Sequence, residues 1–333
     1  MRLFSDAGVP NSNKVGNLTQ SRPKLTLALP VYNGANYIRD ALESLLAQTF
    51  TDFELIICDN ASQDETCAIV ESYAAQDDRI RLIRNPRNLG ASANYNLGFE
   101  EARGEYLKWC AHDDTLSPNF LAECIAELDA NPDVALAFGS TKGISPTNQI
   151  IEPVGAETPS LDDDDPASRF RQAIDLSGTC FPIFGVFRRA NLARSTLHRP
   201  YYSSDRALIV EAALMGKFRR VEGAVFYNRE HEERSINIDD KAQRSLWQTG
   251  KKSRSAAAEH LNLTKHLFEI ASRHGEIVSP WKLYGGLMRR SLQPKQLGRF
   301  GLEIASLISP SAARSAKKLF VRPPNPQPAN RAA

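Results

Sequence analysis

Short apolar runs alternate with helical stretches through the first half of this 333-residue chain. The runs at 25–31 and 53–58 have the length of buried strands, and Ile38, Leu42 and Leu45 between them share one helical face. The same alternation continues through predicted strands at 80–84, 105–110 and 134–138, with helices at 65–75, 91–102 and 118–130. Strands that alternate with helices form right-handed βαβ units. The sequence therefore predicts an α/β fold with a mostly parallel sheet.

A polar pair stands directly after each of four predicted strands: Tyr32-Asn33, Asp59-Asn60, Arg84-Asn85 and Asp113-Asp114. In an open α/β sheet, ligands bind outside the carboxyl ends of the strands, so the four pairs together predict one site. Asp113 and Asp114 offer adjacent hard oxygen ligands, which suit a divalent cation that also holds phosphates. The alternative for these two residues is a turn and an N-cap before a helix at Pro118.

Four motifs between residues 24 and 139 carry a resemblance to a known family. They are LALPVYNG at 27–34, SLLAQTFTDFELIICDNASQD at 44–64, NLG at 88–90 with Asn96, and GEYLKWCAHDD at 104–114. In order and spacing they resemble family 2 glycosyltransferases, and the resemblance weakens toward Arg234 and is absent beyond it. It implies a GT-A type fold, which is a Rossmann-like, mostly parallel sheet flanked by helices. It also implies an inverting transfer of a sugar from a nucleotide-sugar donor, assisted by Mn or Mg.

The resemblance implies donor-binding roles for residues of the first two motifs. Pro30 and Tyr32 match positions that line the nucleotide, and Asn33 lies in the same cluster at the donor. Asp59 matches the acid that accepts hydrogen bonds from the base. A glycine-rich phosphate loop is absent after the first predicted strand, which argues against a sugar nucleotidyltransferase, an enzyme class with a similar fold.

The carboxylate motif departs from the family pattern at one position. Many relatives carry a further Asp two places before Asp113, where this chain has Ala111. The resemblance therefore assigns the diphosphate to Asp113 and leaves Asp114 as the principal protein ligand of the metal. A predicted strand that ends in Arg229 and His231 would bring cations or a ligand to the diphosphate. His231 is therefore a predicted donor-binding residue. A solvated loop position is the alternative for His231.

An inverting transfer needs one general base on the acceptor side of the donor's anomeric carbon. The candidate is Asp205, at the start of an apolar helix, and its position resembles that of the acid which acts as base in this family. A helix N-cap is the alternative, because Asp is a good cap residue. Glu211 is the second candidate, but it lies almost two turns further along and would point elsewhere. The segment at 178–188 resembles an acceptor-side wall, with a bent buried strand as the alternative.

The C-terminal part of the chain is strongly basic. Residues 241–333 hold 17 Lys and Arg against 4 Asp and Glu, although the whole chain has a net charge of only +2. Helices are predicted at 244–274, 281–292, 297–308 and 312–320. Trp281 and Met288 lie among Lys282, Arg289 and Arg290, and basic residues with interfacial aromatics suit an anionic membrane surface. The alternative is a helical cap with a solvated basic face. No recognition motif accompanies the charge, so nucleic acid is not a predicted partner.

The predicted organisation is a GT-A glycosyltransferase domain at 24–240 and a basic helical extension at 241–320, with disordered tails at 1–23 and 321–333. The sequence has no recognisable signal peptide and no apolar run of about 18 residues, which predicts a cytoplasmic protein, peripheral at the inner face of the membrane. The expected acceptor is a growing polysaccharide or a lipid-linked glycan. A non-catalytic nucleotide-sugar-binding or scaffolding subunit is the alternative function.

Overall fold

The computed structural model describes residues 22–151, 157–176, 180–253, 255 and 257–309. The predicted tail up to residue 21, the predicted helix at 312–320 and the tail at 321–333 lie outside these residues. The described part of the chain forms one sheet whose strands are β1 Leu25–Val31, β2 Phe53–Asp59, β3 Ile80–Arg84, β4 Tyr106–Trp109, β5 Thr115–Leu116, β6 Val134–Ile144, β7 Ile150–Ile151, β8 Val186–Arg188 and β9 Lys217–Arg229.

Strand β1 lies at the centre of the parallel half of the sheet. Strands β2 and β4 pair with it in parallel, and β3 continues the parallel arrangement beyond β2. The full order is β3-β2-β1-β4-β8-β6-β9-β5, with β7 paired to β6. Strand β8 runs antiparallel between β4 and β6, whereas the long strands β6 and β9 are parallel to each other. Every residue of β1 and β2 is buried, as expected for parallel strands covered on both faces.

Helices cover both faces of the sheet. They are α1 Ile38–Leu46, α2 Thr66–Ala74, α3 Ala91–Glu100, α4 Phe120–Ala130, α5 Pro166–Asp175, α6 Arg189–Leu192, α7 Ser204–Met215, α8 Lys241–Thr249, α9 Glu259–Arg273, α10 Pro280–Ser291 and α11 Pro294–Ile308. Apolar residues of α1, α2 and α4 form one core with the sheet. Apolar residues of α5, α7, α9 and α10 form the other core. The predicted alternation of strands and helices up to β6 is therefore confirmed.

The C-terminal helices α9 and α10 complete this second core. Leu267 and Ile270 of α9, together with Leu283 and Leu287 of α10, belong to the same buried cluster as the apolar face of α7. Helix α7 carries Asp205, the candidate base, in its first turn. The C-terminal helices therefore support the helix that positions Asp205. Among the described helices, none has both the length and the apolar character needed to cross a bilayer.

The prediction of one continuous helix at 244–274 is wrong, because the chain forms α8 and α9 with a break between them. Helix α8 ends at Gly250, whose φ of 69° lies in the left-handed region that favours glycine. A Cβ at this position would lie 2.7 Å from the carbonyl carbon of Leu89. Glycine therefore lets α8 end against the 88–90 loop, which follows β3.

Candidate active site

The loops after β1 and β2 are joined by hydrogen bonds between Asn33 and the second loop. The Asn33 amide donates to Ser62 Oγ over 2.9 Å, and Asn33 Oδ1 accepts from the Gln63 amide over 2.8 Å. Asn33 has a φ of 52°, a left-handed conformation that asparagine tolerates better than most residues. Tyr32 beside it follows the carboxyl end of β1 and is 42% exposed, whereas Pro30 is buried within β1. Tyr32 is thus open to a ligand, and Pro30 supports it from within the sheet.

Asp59 lies at the end of β2, where its carboxylate is buried. Both carboxylate oxygens lie 3.2 Å from the Ser62 amide, which donates to them within the same turn. Next to it, Asn60 Oδ1 accepts from the Leu89 amide over 2.8 Å, and Asn60 Nδ2 donates to Asn88 Oδ1 over 3.0 Å. Asn60 and Asn88 therefore hold the loop after β3 against the loop after β2.

Asp113 follows β4 and pairs with a histidine from the end of β9. His231 Nε2 lies 2.8 Å from Asp113 Oδ2, and the His231 ring packs against Tyr37 with 4.8 Å between the ring centroids. Burial acts to raise the pKa of Asp113, but the hydrogen bond from His231 and the charge of His112 hold that pKa below its usual value. The predicted donor residues Asp113 and His231, which are 118 positions apart, therefore meet in the fold.

Asp114 is buried and fastens the β4–β5 loop to the end of β9. Its Oδ1 accepts from the Arg229 amide over 2.8 Å and from Asn228 Nδ2 over 3.1 Å. Burial raises the pKa of Asp114 well above its ordinary value, and the charge of neighbouring Asp113 raises it further. The two adjacent carboxylates thus repel each other at a buried position.

The Arg229 guanidinium is fully buried beneath this pair. Its Nε donates to the Asp113 carbonyl over 2.7 Å, and its Nη2 donates to Asp40 Oδ2 over 2.9 Å. Its Nη1 lies 3.1 Å from the carbonyl oxygens of both Ser145 and Pro146. The interpretation of Arg229 as a cation for the diphosphate is therefore wrong, because its side chain is 0% exposed and is bonded within the protein. Sequence reasoning missed its structural role, which depends on partners from distant loops.

A divalent cation fits the chemistry of this site, provided that a ligand supplies further oxygens. Mg²⁺ and similar ions are commonly held by one or two carboxylates together with substrate phosphates. Asp113 and Asp114 provide two such carboxylates, and a cation would relieve the repulsion between them. The buried Nδ1 of His231 has no hydrogen-bond partner among the described residues. No group of three or more His, Cys, Asp or Glu suited to a metal occurs in the described ranges.

Asp205 lies in the first turn of α7. The cap position belongs to Ser203, with a φ of 71°, and its side chain makes no capping hydrogen bond. Burial raises the pKa of Asp205 above its ordinary value, and the lowering effects of Arg206 and of a hydrogen bond with the Cys180 thiol do not offset this. The left-handed conformation of Ser203 is the kind of backbone strain that clusters at functional sites. Asp205 is therefore not the cap residue of α7, and its raised pKa suits a proton acceptor.

Tyr95 on α3 shows that the three acids lie in one neighbourhood. Burial raises the pKa of Tyr95 well above its ordinary value, and the charges of Asp113, Asp114 and Asp205 raise it further. Its backbone carbonyl accepts from the indole N–H of Trp109 over 2.9 Å, which fixes α3 against β4. The carboxylate pair and the candidate base thus all raise the pKa of one tyrosine, which no sequence motif marked.

Glu211, the second candidate base, points away from this neighbourhood. Its Oε2 accepts from the Thr196 amide over 2.7 Å and from Thr196 Oγ1 over 2.6 Å. Its Oε1 lies 2.8 Å from His274 Nε2, beyond the end of α9. The Glu211 side chain is 0% exposed and fully engaged, so it ties α7 to the extension and is not free to take a proton from a substrate.

Residues 26–191 match a family model described as "Glycosyl transferase family 2". An uncharacterized glycosyltransferase of Rickettsia prowazekii, RP339, is 38% identical over 119 residues, which are 35% of this chain and 36% of that protein. A chondroitin synthase of Escherichia coli is 31% identical over 139 residues, which are 41% of this chain and 20% of the synthase. The match thus spans about a third of the first relative and a fifth of the second.

Two solved structures are similar in fold. S. aureus TarS 1-349 in complex with UDP-GlcNAc has a TM-score of 0.54 at 19% identity, over 89% of this chain and 83% of that chain. GalNAc-T7 with UDP, GalNAc and Mn2+ also has a TM-score of 0.54, at 13% identity, over 74% of this chain and 48% of that chain. At these identities the likeness extends to the fold alone.

Replacing Arg229 with lysine should destabilise the protein. A lysine cannot reproduce the planar fork that contacts the Asp113 carbonyl, Asp40 and the β6–β7 turn, so it leaves buried acceptors unpaired. We expect a loss of about 3 kcal/mol in the free energy of unfolding, measured in urea. Arg84→Lys, at an exposed pair with Glu71, is the control and should change little. Equal stabilities of the two variants would contradict the structural role of Arg229.

Proposed function

Since the chain belongs to glycosyl transferase family 2 through residues 26–191 and has the GT-A fold predicted from its sequence, we propose that it transfers a sugar from a nucleotide-sugar donor to a glycan acceptor, with inversion at the anomeric carbon. The observation that carries this proposal is that a pair of buried carboxylates and a separate third one all act on the pKa of the same residue, Tyr95. The pair Asp113-Asp114 suits donor phosphates and a cation, and Asp205 suits the general base.

The donor half of the mechanism rests on the loops after β1, β2 and β4. Tyr32 is exposed where the nucleotide would lie, and Asp113 and Asp114 would hold Mn or Mg against the diphosphate. When bound, the cation neutralises the negative charge that develops on the departing nucleoside diphosphate. His231 orients Asp113 through the contact at its Nε2. The GalNAc-T7 structure, which holds UDP and Mn2+ on the same fold, is consistent with this arrangement.

The acceptor half rests on Asp205. Its carboxylate takes the proton from the acceptor hydroxyl while the hydroxyl oxygen attacks the anomeric carbon, on the face opposite to the departing diphosphate. The raised pKa makes this carboxylate a stronger base than an exposed aspartate. Because α7 is held by Glu211 and His274, the carboxylate is fixed in place before the acceptor arrives.

Asp205→Asn should abolish most of the transfer while leaving the fold and donor affinity unchanged. The amide keeps the size of the side chain but cannot accept the proton, so transfer at saturating donor should fall by roughly 10²–10⁴-fold. Asp78→Asn, at an exposed position, is the control and should transfer at the normal rate. Near-normal turnover in Asp205→Asn would exclude Asp205 as the base.

The pH dependence of the rate gives a second readout of the same variant. The base acts only when deprotonated, and the pKa of Asp205 is raised, so activity should be lost as pH falls at a higher pH than for an exposed aspartate. The residual rate of Asp205→Asn should lack this acidic limb. A wild-type protein that binds donor but transfers and hydrolyses nothing from a broad donor panel would favour the alternative, a non-catalytic subunit.

Asp113→Asn and Asp114→Asn should remove the part of nucleotide affinity that depends on metal. We expect Mn²⁺ to raise the affinity of the wild-type protein for UDP or GDP in calorimetric titrations, because the ion links the carboxylates to the diphosphate. In each variant, the increase in nucleotide affinity caused by Mn²⁺ should be at least about tenfold smaller than in the wild-type protein. The affinity in metal-free buffer should stay the same. A folded Asp114→Asn protein that retains the full effect of Mn²⁺ would contradict the assignment of Asp114 as the principal metal ligand.

We also propose that the C-terminal helices bring the enzyme to the cytoplasmic face of an anionic membrane, where a polysaccharide or lipid-linked acceptor would be elongated. Several large apolar side chains of α10 and α11 are exposed: Trp281, Met288, Leu292, Leu297, Ile304 and Ile308. Trp281 is 81% exposed and stands beside the exposed Lys282. Basic residues with outward aromatics favour the interface of an anionic bilayer.

Trp281→Ala should weaken binding to vesicles that contain anionic phospholipid. The indole would lie at the headgroup level, so its loss removes apolar contact while the charge remains. Ile150→Ala is the control, because Ile150 is 66% exposed on β7, outside the extension. Added salt should weaken binding of the wild-type chain, since exposed charges are screened beyond about 8–10 Å. A wild-type chain that ignores such vesicles at low salt would exclude membrane binding.

A further inference from the structure

A cavity of about 450 Å³ lies between α5, α7 and the C-terminal helices α9, α10 and α11. Its size falls in the range of roughly 300–1,000 Å³ that is usual for small-molecule sites. The carboxylate pair at β4 does not line this cavity, so it is distinct from the proposed donor site. Its walls come in part from the extension, which the family model does not cover.

The cavity lies beside the candidate base. Cys180 lines it, and burial together with the charge of Asp205 raises the pKa of the Cys180 thiol. Arg206, the next residue on α7, also lines it. A molecule that occupies the cavity therefore lies close to Asp205, and the carboxylate pair does not line its site.

The walls combine an apolar side with three arginines. Ile209, Leu263, Leu267 and Leu287 supply apolar surface, and Ile209, Leu267 and Leu287 are buried. Arg206, Arg290 and Arg299 supply positive charge from α7, α10 and α11. A lining of this kind suits an amphiphile with an anionic group, because apolar walls favour a chain and arginine favours phosphate.

Two of the three arginines are without a carboxylate partner. Across the described residues, no Asp or Glu lies within ion-pair distance of Arg206 or Arg299, whereas Arg290 pairs with the exposed Asp175 over 2.9 Å. The other acid on the wall, Glu157, is paired with Arg220. The positive charge of the cavity is thus only partly compensated by the protein.

We propose that this cavity binds a lipid-linked acceptor, with its phosphate group at Arg206, Arg290 and Arg299 and its hydrocarbon chain along the apolar wall. The inference rests on the proposed function, because the acceptor hydroxyl must lie within reach of Asp205. It adds the chemical class of the acceptor and the surface that selects it. The exposed apolar side chains of α10 and α11 would place the same helices at the membrane from which such an acceptor comes.

Dodecyl phosphate, kept below its micelle concentration, serves as the probe for calorimetric titration into the full-length protein. We expect it to bind at least about tenfold more tightly than either inorganic phosphate or a neutral dodecyl glucoside, because each lacks half of the contacts. Binding no tighter than that of inorganic phosphate would overturn the proposal, as would equal binding of the neutral amphiphile. Short-chain phosphatidylglycerol, titrated in parallel, tests whether the cavity binds an ordinary membrane phospholipid instead of a lipid-linked acceptor. Tighter binding of phosphatidylglycerol than of dodecyl phosphate would also overturn the proposal.

Variants of the lining test the position of the probe. Arg299→Ala should weaken dodecyl phosphate binding by about tenfold, the usual cost of a lost charged hydrogen bond. Thr264→Trp places a large ring in the cavity from the half-buried middle of α9, and should block the chain without removing any charge. Arg289→Ala, on the exposed face of α10 outside the lining, is the matched control. Unchanged affinity in both Arg299→Ala and Thr264→Trp would exclude this cavity.

The affinity for UDP or GDP with Mn²⁺, measured in the same variants, keeps this inference separate from the proposed function. Nucleotide affinity should be equal in the wild-type protein and in Thr264→Trp, because neither Asp113 nor Asp114 lines the cavity. If sugar transfer depends on Asp205 but dodecyl phosphate does not bind, only the acceptor assignment fails. If transfer never depends on Asp205, the proposed function itself fails, whatever the probe does.

Discussion

The guanidinium of Arg229 holds together the parts of the chain that form the carboxylate site. It donates to the Asp113 carbonyl in the β4–β5 loop, to Asp40 on α1 and to the turn after β6, while its own amide donates to Asp114. A buried charge is costly unless it is paired and its donors are satisfied, and here the acceptors come from three separate segments. The adjacent carboxylates can therefore face a ligand only when these segments have assembled.

The position of Asp205 depends on the C-terminal extension, as the position of the carboxylate pair depends on Arg229. Glu211 on α7 is bound by Thr196 and by His274, which stands just after α9. Burial acts to raise the pKa of Glu211, and the hydrogen bond from His274 holds that pKa below its ordinary value. Asp205, on the same helix, is thereby fixed by contacts that lie outside the residues matched by the family model. The carboxylate pair and Asp205 are thus stabilised by different parts of the chain, and the proposed amphiphile cavity lies in the second part.

The sequence predicted the elements whose signals are local. The apolar run of β1 and the helical periodicity of α1 indicated the fold class, and the four motifs between residues 24 and 139 indicated the family. Two kinds of feature escaped prediction. The break between α8 and α9 depends on how closely Gly250 approaches the Leu89 backbone, which periodicity does not encode. The burial of Arg229 and the position of Tyr95 among the acids depend on partners that are far away in sequence, so no spacing rule marks them. The donor roles of Pro30 and Asp59 stay predictions.

The central claim is that Asp113 and Asp114 hold the cation and diphosphate of the donor on the side that faces Asp205. A crystal structure of the full chain with a nucleoside diphosphate and Mn²⁺, phased to reveal the anomalous signal of the metal, tests this claim most directly. The account predicts one strong peak within about 2.0–2.6 Å of a carboxylate oxygen of Asp113 or Asp114, in contact with the diphosphate. A nucleotide that binds with its metal away from both carboxylates would contradict it.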